Sequence, residues 1–337
     1  MAGDSNSKTT LEQLAQLAGV SVSTVSRALN DQPLISARTK KRIWALAREH
    51  DYPFRQSMPP APIGAEGSIV IVTPHMRGGP LPLSHPFFLE LLASIGEAAR
   101  ERGCDFTVSH VAPSNFEDLI TTTTTSRANG VIFLGQAMLH EEFNRLAETQ
   151  ARFVVWGAHI PGQKYRSIGS DNLLGGRRAT AHVARLGRKN IAFIGGTDPE
   201  AQQRRRGYLD ALKESGLEAD PNLICQVEFE LESAEAAVTR LLRRGVKFDA
   251  IVGASDLIAL GAMRALRRGG IAIPEDVSVV GYDDMLLSRL STPALSTIRQ
   301  DTSRAGKLLV ASILNDHTDD LPSLLPTELI IRESCGG

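Results

Sequence analysis

Four segments of the chain place acidic, hydroxyl or guanidinium side chains directly after short apolar runs, at 167–172, 195–206, 253–256 and 281–284. Carboxylates accept hydrogen bonds from paired hydroxyl groups, and a guanidinium donates hydrogen bonds in a fixed geometry. A polyhydroxylated ligand needs both kinds of group, so these segments predict that the chain binds a sugar. The candidate polar contacts are Asp171, Arg204, Ser255, Asp256 and Asp283.

Aromatic residues near the same predicted strands extend this site. Phe87 and Phe88 follow the loop after the first strand, and Trp156 ends a later one. Sugars pack their CH faces on such rings, and His85 in the preceding loop adds a hydrogen-bonding ring. The alternatives are core packing for the three aromatic residues and a solvated ring for His85.

The polar candidates have plainer interpretations too. Asp171, Asp256 and Asp283 each precede a helical pattern, and Asp is a common helix N-cap. Arg204, with Arg205 and Arg206 beside it, is equally typical of a solvated helix face.

Enzymatic chemistry has little support. Asp256 with Asp283 or Asp284 suggests a glycosidase pair, but adjacent residues such as Asp283 and Asp284 cannot flank one scissile bond from opposite sides. The sequence contains no P-loop, Gly-x-Ser-x-Gly elbow, His-Glu-x-x-His pair or metal-ligand cluster. We therefore predict no enzyme, no catalytic residue, no metal and no cofactor.

A second functional unit lies at residues 10–30. Apolar residues at helical spacing (Leu11, Leu14, Ala15, Ala18) predict a helix that Thr9 or Thr10 caps and Gly19 ends. Ser21 then caps a second helix. Two short helices around a glycine turn match either a helix-turn-helix or an ordinary helical hairpin.

In a helix-turn-helix, the first residues of the second helix meet base edges in the DNA major groove. Small hydroxyls and the Arg27 guanidinium suit bases and phosphates alike. The predicted DNA contacts are Thr10, Ser21, Val22, Ser23, Thr24, Ser26, Arg27, Asn30 and Thr39.

The pattern divides the chain into three parts. Ser36 caps a third helix, which ends near residues 51–53 and completes a helical headpiece at 8–53. A Pro/Gly-rich linker follows at 54–67. From residue 68 onward, short β-branched runs alternate with helices up to residue 337, which predicts parallel α/β sheets in two doubly wound lobes.

Charge and cysteine content agree with this division. Residues 1–63 hold eight lysines and arginines against five acidic residues, whereas the remaining residues hold 29 against 33. A basic headpiece on a mildly acidic body suits a DNA-binding module. The three cysteines form neither a disulfide pattern nor a zinc pattern, and no export or membrane segment is evident, so we expect a cytoplasmic protein.

The N-terminal segment resembles the headpiece of the LacI/GalR repressor family. The resemblance rests on Thr-Leu-Glu-Gln-Leu-Ala-Gln-Leu-Ala-Gly-Val-Ser at 10–21, Thr-Val-Ser-Arg-Ala-Leu-Asn at 24–30, and the pairs Ile35-Ser36 and Arg38-Thr39. It implies two lobes like those of type I periplasmic binding proteins, with the effector between them. It also places Asp171, Arg204, Asp256 and Asp283 at effector-contacting positions.

The resemblance further implies where the chain passes between lobes: near 163–168, 290–296 and 320–326. The expected lobes are therefore about 68–165 with 296–320, and 166–292 with 325–334. The family's hinge helix, which folds on operator DNA, is disfavoured here because interior prolines cost about 3 kcal/mol each and Pro59, Pro60 and Pro62 lie in the linker.

We therefore expect a homodimeric transcriptional regulator that represses carbohydrate genes. Double-stranded operator DNA and a small carbohydrate effector are its predicted partners, with no membrane association. The alternative is a cytoplasmic ligand-binding module or a sugar-processing enzyme without operator binding.

Overall fold

The computed structural model describes residues 9–29, 35–50, 67–73, 75–76, 79–80, 84–109, 112–125, 128–136, 139–315 and 323–336. The chain forms two compact units, Met1–Ala65 and Glu66–Gly337. Asn30, the prolines of the predicted linker and nearly all of the linker lie outside the described residues, so the expectations about them stay predictions.

The first unit contains three helices: α1 Leu11–Ala18, α2 Val22–Leu29 and α3 Ala37–Glu49. Thr10 and Gln13 form a capping box at the start of α1, and Gly19 ends the helix in the left-handed conformation (φ 63°). The Ser21 hydroxyl accepts a hydrogen bond from the Thr24 N–H (3.2 Å) and so caps α2. The predicted helix-turn-helix is therefore confirmed.

Seven side chains form the core of this unit. They come from all three helices: Leu14, Ala15, Ala18, Val25, Ala28, Ile43 and Ala47. Because Val25 and Ala28 are buried, the opposite face of α2 is left for solvent or for a partner.

The second unit contains the remaining regular elements of the described residues. The strands are β1 Ser68–Val72, β2 His75–Met76, β3 Gly79–Pro80, β4 Asp105–Ser109, β5 Gly130–Leu134, β6 Phe153–Trp156, β7 Ser167–Ser170, β8 Ile191–Gly195, β9 Ile224–Gln226, β10 Ala250–Gly253, β11 Ser278–Asp283, β12 Ser296–Arg299, β13 Leu324–Leu325 and β14 Glu328–Ile330. The helices are α4 Pro86–Glu101, α5 Phe116–Thr125, α6 His140–Ala147, α7 Asn172–Arg185, α8 Pro199–Glu214, α9 Leu231–Arg243, α10 Asp256–Arg268, α11 Leu286–Leu290 and α12 Thr302–Leu314, with short 3-10 helices at Pro221–Leu223 and Glu333–Cys335.

Twelve of these fourteen strands form two six-stranded sheets, each of which defines a lobe, and β2 pairs with β3 in a separate two-stranded sheet. Lobe 1 has the order β13-β7-β6-β5-β1-β4, and lobe 2 has the order β14-β12-β11-β10-β8-β9. Strands such as β5, β8 and β10 are buried along their whole length, as expected of parallel strands covered by helices on both faces. The two-lobed α/β fold is confirmed, with β14 as an antiparallel edge strand.

The strand pairing differs from the expected lobe boundaries at two strands. β7 pairs with β6 in lobe 1, whereas the resemblance places residues 166–170 in lobe 2. β12 pairs with β11 in lobe 2, whereas the resemblance places residues 296–299 in lobe 1. Within the described residues, the chain changes lobe after Ser170, after Arg299 and after Leu325. Each crossing therefore follows a strand that first completes the sheet it leaves.

Candidate functional site

A pocket lies between the two lobes, at the carboxyl ends of both sets of strands. Lobe 1 contributes Gln136, which follows β5, and Trp156 and Ser170, which end β6 and β7. Lobe 2 contributes Asp198 after β8 and Asp283 at the end of β11. Open α/β sheets bind ligands at this edge, so the topology itself identifies the pocket as the candidate ligand site.

Arg204 is the central cation of the pocket, and the protein holds its guanidinium firmly. Its Nε donates to Oδ1 of Asn172 (2.8 Å), and its Nη1 donates to the backbone carbonyl of Ala254. The guanidinium carbon lies 3.7 Å from the centre of the Tyr282 ring, a cation–π contact. Arg204 is 5% exposed, so the alternative of a solvated helix face does not apply.

The glycine pair in α7 makes room for this arrangement. A Cβ on Gly175 would lie 2.4 Å from the Tyr282 hydroxyl oxygen, and a Cβ on Gly176 would lie 2.1 Å from the Arg204 carbonyl oxygen. Side chains at either position would therefore displace α8 or the Tyr282 ring. The glycines let α7 approach α8 and fix the position of Arg204.

Asp283 stands opposite Arg204 on a strained backbone. Its φ is 118° and that of Asp284 is 60°, values that non-glycine residues rarely adopt. Its Oδ1 accepts a hydrogen bond from Nε2 of Gln300 (2.7 Å), while its Oδ2 is buried without a partner. Burial raises the pKa of Asp283 to about 7, although Arg204 and Gln300 oppose this rise by favouring the charged form.

Asp284 points away to an ion-pair cluster with three arginines. Its carboxylate contacts Arg289 (3.2 Å), Arg299 (2.7 Å) and Arg332. Burial disfavours the charged form of Asp284, but hydrogen bonds from Arg332 and Arg299 outweigh it and lower its pKa. This cluster ties β12 and the segment after β14 to the strained corner that carries Asp283.

Three predicted polar contacts do not line the pocket. Asp171 caps α7 by accepting from the Leu174 N–H (2.9 Å), and Ser255 caps α10 by accepting from the Ile258 N–H (3.2 Å). Asp256 lies beneath the Asp283 corner, where it accepts hydrogen bonds from the Met285 N–H and the hydroxyls of Ser288 and Thr297. Burial, with Asp283 nearby, raises its pKa well above the ordinary value. Asp256 therefore supports the site from behind.

The aromatic wall of the pocket comes mainly from lobe 1. Phe87 and Phe88 form an edge-on pair at 5.4 Å, and Phe87 lies 6.0 Å from Trp156. All three line the pocket, and Phe87 and Trp156 also belong to the lobe 1 core. Phe87 and Trp156 therefore do both: they line the pocket as predicted, and they pack in the core as the alternative held.

His85 closes this wall against lobe 2. Its ring lies 5.3 Å from Phe88 in lobe 1 and 5.3 Å from Phe229 in the loop after β9 of lobe 2. His85 is 7% exposed, so the ring is not solvated. Burial lowers the pKa of His85 to about 4, which keeps the ring neutral at pH 7.

Five buried polar atoms of the described residues have no hydrogen-bond partner: Nδ1 and Nε2 of His85, Oε1 of Gln136, Oγ of Ser170 and Oδ2 of Asp283. Gln136, Ser170 and Asp283 line the pocket, whereas the predicted contact His85 does not. An unsatisfied buried polar atom costs about 1–3 kcal/mol, so native proteins rarely contain several without a reason. A polar ligand in the pocket would satisfy the three atoms on its lining.

Several lining residues escaped the sequence analysis: Gln136, Asn172, Asp198, Glu200, Phe229 and Gln300. Gln136 directly follows the predicted strand at 130–135, so the sequence already indicated it as a polar residue after an apolar run. Phe229 and Gln300 follow β9 and β12, strands of three and four residues that show no long apolar run. Burial, with Asp198 nearby, raises the pKa of Glu200 to about 7.

The first unit presents a polar face on α2. Ser23 and Arg27 are exposed, Val22 is 40% exposed, and Thr24 and Ser26 are half-buried. Ser21 is exposed, although its hydroxyl also contacts those of Ser23 (2.9 Å) and Thr24 (2.8 Å). Thr10 and Thr39 lie in the first turns of α1 and α3, where the Thr39 hydroxyl contacts that of Ser36 (2.8 Å). The eight described candidates therefore lie on α2 or at helix starts.

None of the helices in the described residues is long and apolar enough to cross a membrane. No group of three or more His, Cys, Asp or Glu side chains is arranged to hold a metal ion in the same residues.

Comparison with protein families gives two matches that follow the two units. Residues 10–53 match the model of bacterial regulatory proteins of the lacI family, and residues 180–335 match a periplasmic binding protein-like domain.

Individual relatives match over nearly the whole chain. The HTH-type transcriptional regulator CelR of Thermobifida fusca is 31% identical over 96% of this chain and 98% of its own length. The repressor CytR of Escherichia coli (strain K12) is 29% identical over 96% of each chain.

Solved structures agree. A CelR–cellobiose complex has 30% sequence identity and a TM-score of 0.69, covering 97% of this chain and 100% of that one. The lac repressor dimer bound to operator and an anti-inducer has 26% identity and a TM-score of 0.69, covering 98% and 99%.

Proposed function

This chain belongs to the LacI family of bacterial regulatory proteins, and we propose that it represses genes of carbohydrate uptake or catabolism under the control of a sugar bound between its lobes. It is a DNA-binding transcriptional regulator and not an enzyme. The proposal concerns which side chains read DNA, which bind the effector and what class of effector they take.

DNA reading is assigned to the exposed face of α2. Val25 and Ala28 face the core of the first unit, so Ser21, Ser23 and Arg27 lie on the side available to the major groove. Hydroxyls and a guanidinium hydrogen-bond to base edges and phosphates. Thr10 and Thr39, in the first turns of their helices, suit phosphate contacts because helix N-termini attract anions. A homodimer would present two such helices to the half-sites of a pseudo-palindrome.

The observation that carries the effector assignment is the pocket between the lobes, which is lined by both aromatic rings and unpartnered polar atoms. A sugar presents CH faces for the rings and hydroxyls for the polar atoms. The CelR relative has been solved with cellobiose, so a disaccharide of this kind is a reasonable first probe.

A ligand in this pocket contacts both lobes, which gives it a means of control. Gln136 and Phe88 belong to lobe 1, whereas Arg204 and Asp283 belong to lobe 2. A ligand shifts a conformational equilibrium when it binds one arrangement more tightly than the other. We propose that the sugar stabilises one arrangement of the lobes, and that operator affinity differs between arrangements. A regulator of this kind acts on the chromosome, which places it in the cytoplasm.

The test begins with enrichment of DNA from a random library on the purified chain. The selected sequences should share an inverted repeat with half-sites about 10 base pairs apart, or a multiple of a helical turn. A sugar panel screened by thermal unfolding then identifies the effector, since a ligand at 100 times its Kd adds about 2.7 kcal/mol of stability. Failure to enrich any sequence would support the alternative of a ligand-binding module without operator binding.

A further inference from the structure

We infer that the pocket selects an uncharged, hydroxyl-rich ligand and excludes phosphorylated or carboxylated forms of the same sugar. The inference rests on the proposed function, because it concerns the effector of the same pocket. It follows from which polar atoms the pocket leaves unsatisfied and from the excess of carboxyl groups over cations on its described lining.

Two of the three unsatisfied atoms on the pocket lining are acceptors, and the third, Oγ of Ser170, can donate or accept. Nε2 of Gln136 donates to the Ala158 carbonyl (2.6 Å) and to the Tyr165 hydroxyl oxygen (2.8 Å), which fixes the amide so that Oε1 is the atom left over. Oδ2 of Asp283 is the second such oxygen. A sugar hydroxyl can donate to both atoms. A phosphate or carboxylate oxygen is itself an acceptor and would meet them without a proton to share.

The charges point the same way. Three carboxyl groups line the pocket (Asp198, Glu200 and Asp283). The cation on the described lining is Arg204, and its Nε and Nη1 are committed to Asn172 and Ala254. Burial gives Glu200 and Asp283 pKa values of about 7, so both carboxyls are mostly charged at pH 8. At that pH an anionic ligand would meet more negative than positive charge in a buried setting, where charge interactions are stronger than in water.

Of the helix N-termini at the pocket, that of α8 is occupied by acidic side chains. Helix N-termini ordinarily attract anions, and α8 begins here. Asp198 caps α8 by accepting from the Ala201 N–H (2.8 Å), and Glu200 lies in its first turn. Glu200 also accepts from the Ala158 N–H of lobe 1 (3.2 Å). The chain's own carboxyls thus fill the place that a phosphate would take.

The experiment compares matched ligands on the full chain by calorimetric titration at pH 8, where Asp283 and Glu200 are mostly ionised. The sets are glucose with glucose 6-phosphate and glucuronate, galactose with galactose 6-phosphate and galacturonate, and cellobiose with cellobionate. We expect at least one neutral sugar to bind and each anionic counterpart to bind about 100-fold more weakly or not at all. An anionic member that binds as tightly as its neutral partner would overturn the inference while leaving a sugar-binding regulator intact. Absence of binding by every member would count against both proposals.

Two variants separate charge from shape. Glu200→Gln and Asp198→Asn each remove one negative charge with little change in volume. Each should therefore reduce the ratio of neutral-ligand affinity to anionic-ligand affinity by about tenfold. Glu218→Gln is the matched control, because Glu218 is exposed and follows the far end of α8. If the two pocket variants change this affinity ratio no more than Glu218→Gln does, the two carboxyl groups do not cause the exclusion of anions.

Discussion

Nη1 of Arg204 lies 3.8 Å from Oδ1 of Asp283, and both side chains are almost entirely buried. The contact joins α8 to the end of β11 across the floor of the pocket. It is longer than a hydrogen bond, since the closer partners of Arg204 are Asn172 and Ala254. Gln300 donates a hydrogen bond to the same Oδ1 (2.7 Å), so Oδ2 of Asp283 remains available to a ligand.

Asp283→Ala should weaken sugar binding while operator affinity in the absence of sugar stays unchanged. A hydrogen bond to a charged group contributes about 1.5–3 kcal/mol, which corresponds to roughly a 10- to 150-fold loss of affinity. Operator binding should persist because the helix-turn-helix forms a separate compact unit. Calorimetry with the sugar and gel shifts with and without it measure both quantities.

The matched control is Asp171→Ala, another aspartate placed after a strand. Asp171 caps α7 and does not line the pocket. Loss of the cap should lower the free energy of unfolding by about 0.5–2 kcal/mol with sugar affinity unchanged. If Asp171→Ala weakens sugar binding as much as Asp283→Ala does, the effector site does not lie where we place it.

These two aspartates also show what sequence reasoning can and cannot separate. Asp171 and Asp283 both follow apolar runs and precede helical patterns, so their sequence contexts are alike. Only the three-dimensional hydrogen bonds tell a helix cap from a residue with an unused carboxylate oxygen. Arg204 is the opposite case, since its burial follows from the close approach of α7 to α8, which no local pattern reports.

The lobes were predictable from their long buried strands, but the crossings were not. β7 has the sequence Ser-Ile-Gly-Ser, and β12 has Ser-Thr-Ile-Arg. Such short mixed segments match either sheet, and long-range pairing decides between them. Gln300 and Phe229 were not predicted for the same reason, because β12 and β9, which precede them, are too short to show an apolar pattern.

Arg27→Ala should abolish specific operator binding and leave sugar affinity unchanged. Arg27 is exposed on α2, on a helix whose buried residues face the first unit's core. Loss of a base or phosphate contact typically costs about 1–3 kcal/mol in each half-site, and a dimer loses it twice. Arg206→Ala, which removes an exposed arginine from the second unit, controls for net charge. Footprints must be compared at one salt concentration, and an unaltered Arg27→Ala footprint would refute α2 as the reading helix.

Stability should fall as pH rises through 7. Burial raises the pKa values of Asp283 and Glu200 to about 7, above those of exposed carboxyls, so the folded chain retains protons that the unfolded chain has released. The stability that these groups add is present at low pH and is lost as pH rises through their folded pKa values. Between pH 6.5 and 8 the expected loss is on the order of 1 kcal/mol.

This pH window avoids the opposing effect of His85. Its lowered pKa makes stability fall as pH drops from about 6.5 to 4, so the two effects overlap only below the window. Thermal unfolding of wild type and of an Asp283→Asn, Glu200→Gln double variant, measured across the window, isolates the carboxyls. The double variant should have a smaller slope than wild type, with Asp256, whose pKa is also raised, contributing to the remainder, and Glu218→Gln should keep the wild-type slope. An equal slope in all three proteins would assign the pH dependence to other groups.

Phe229→Ala should weaken sugar binding by increasing the rate at which the sugar dissociates. Phe229 belongs to the loop after β9 in lobe 2, and its ring packs against His85 of lobe 1 at 5.3 Å, so the contact joins the lobes beside the pocket. An aromatic pair contributes about 0.5–1.5 kcal/mol beyond the apolar area that it buries. Stopped-flow measurement should therefore show that the rate of sugar dissociation increases several-fold or more.

Phe229→Leu is the matched control, because it keeps apolar volume but loses the ring. Its rate of sugar dissociation should lie between those of wild type and Phe229→Ala. A dissociation rate unchanged by both substitutions would mean that the contact between His85 and Phe229 does not hold the ligand in place.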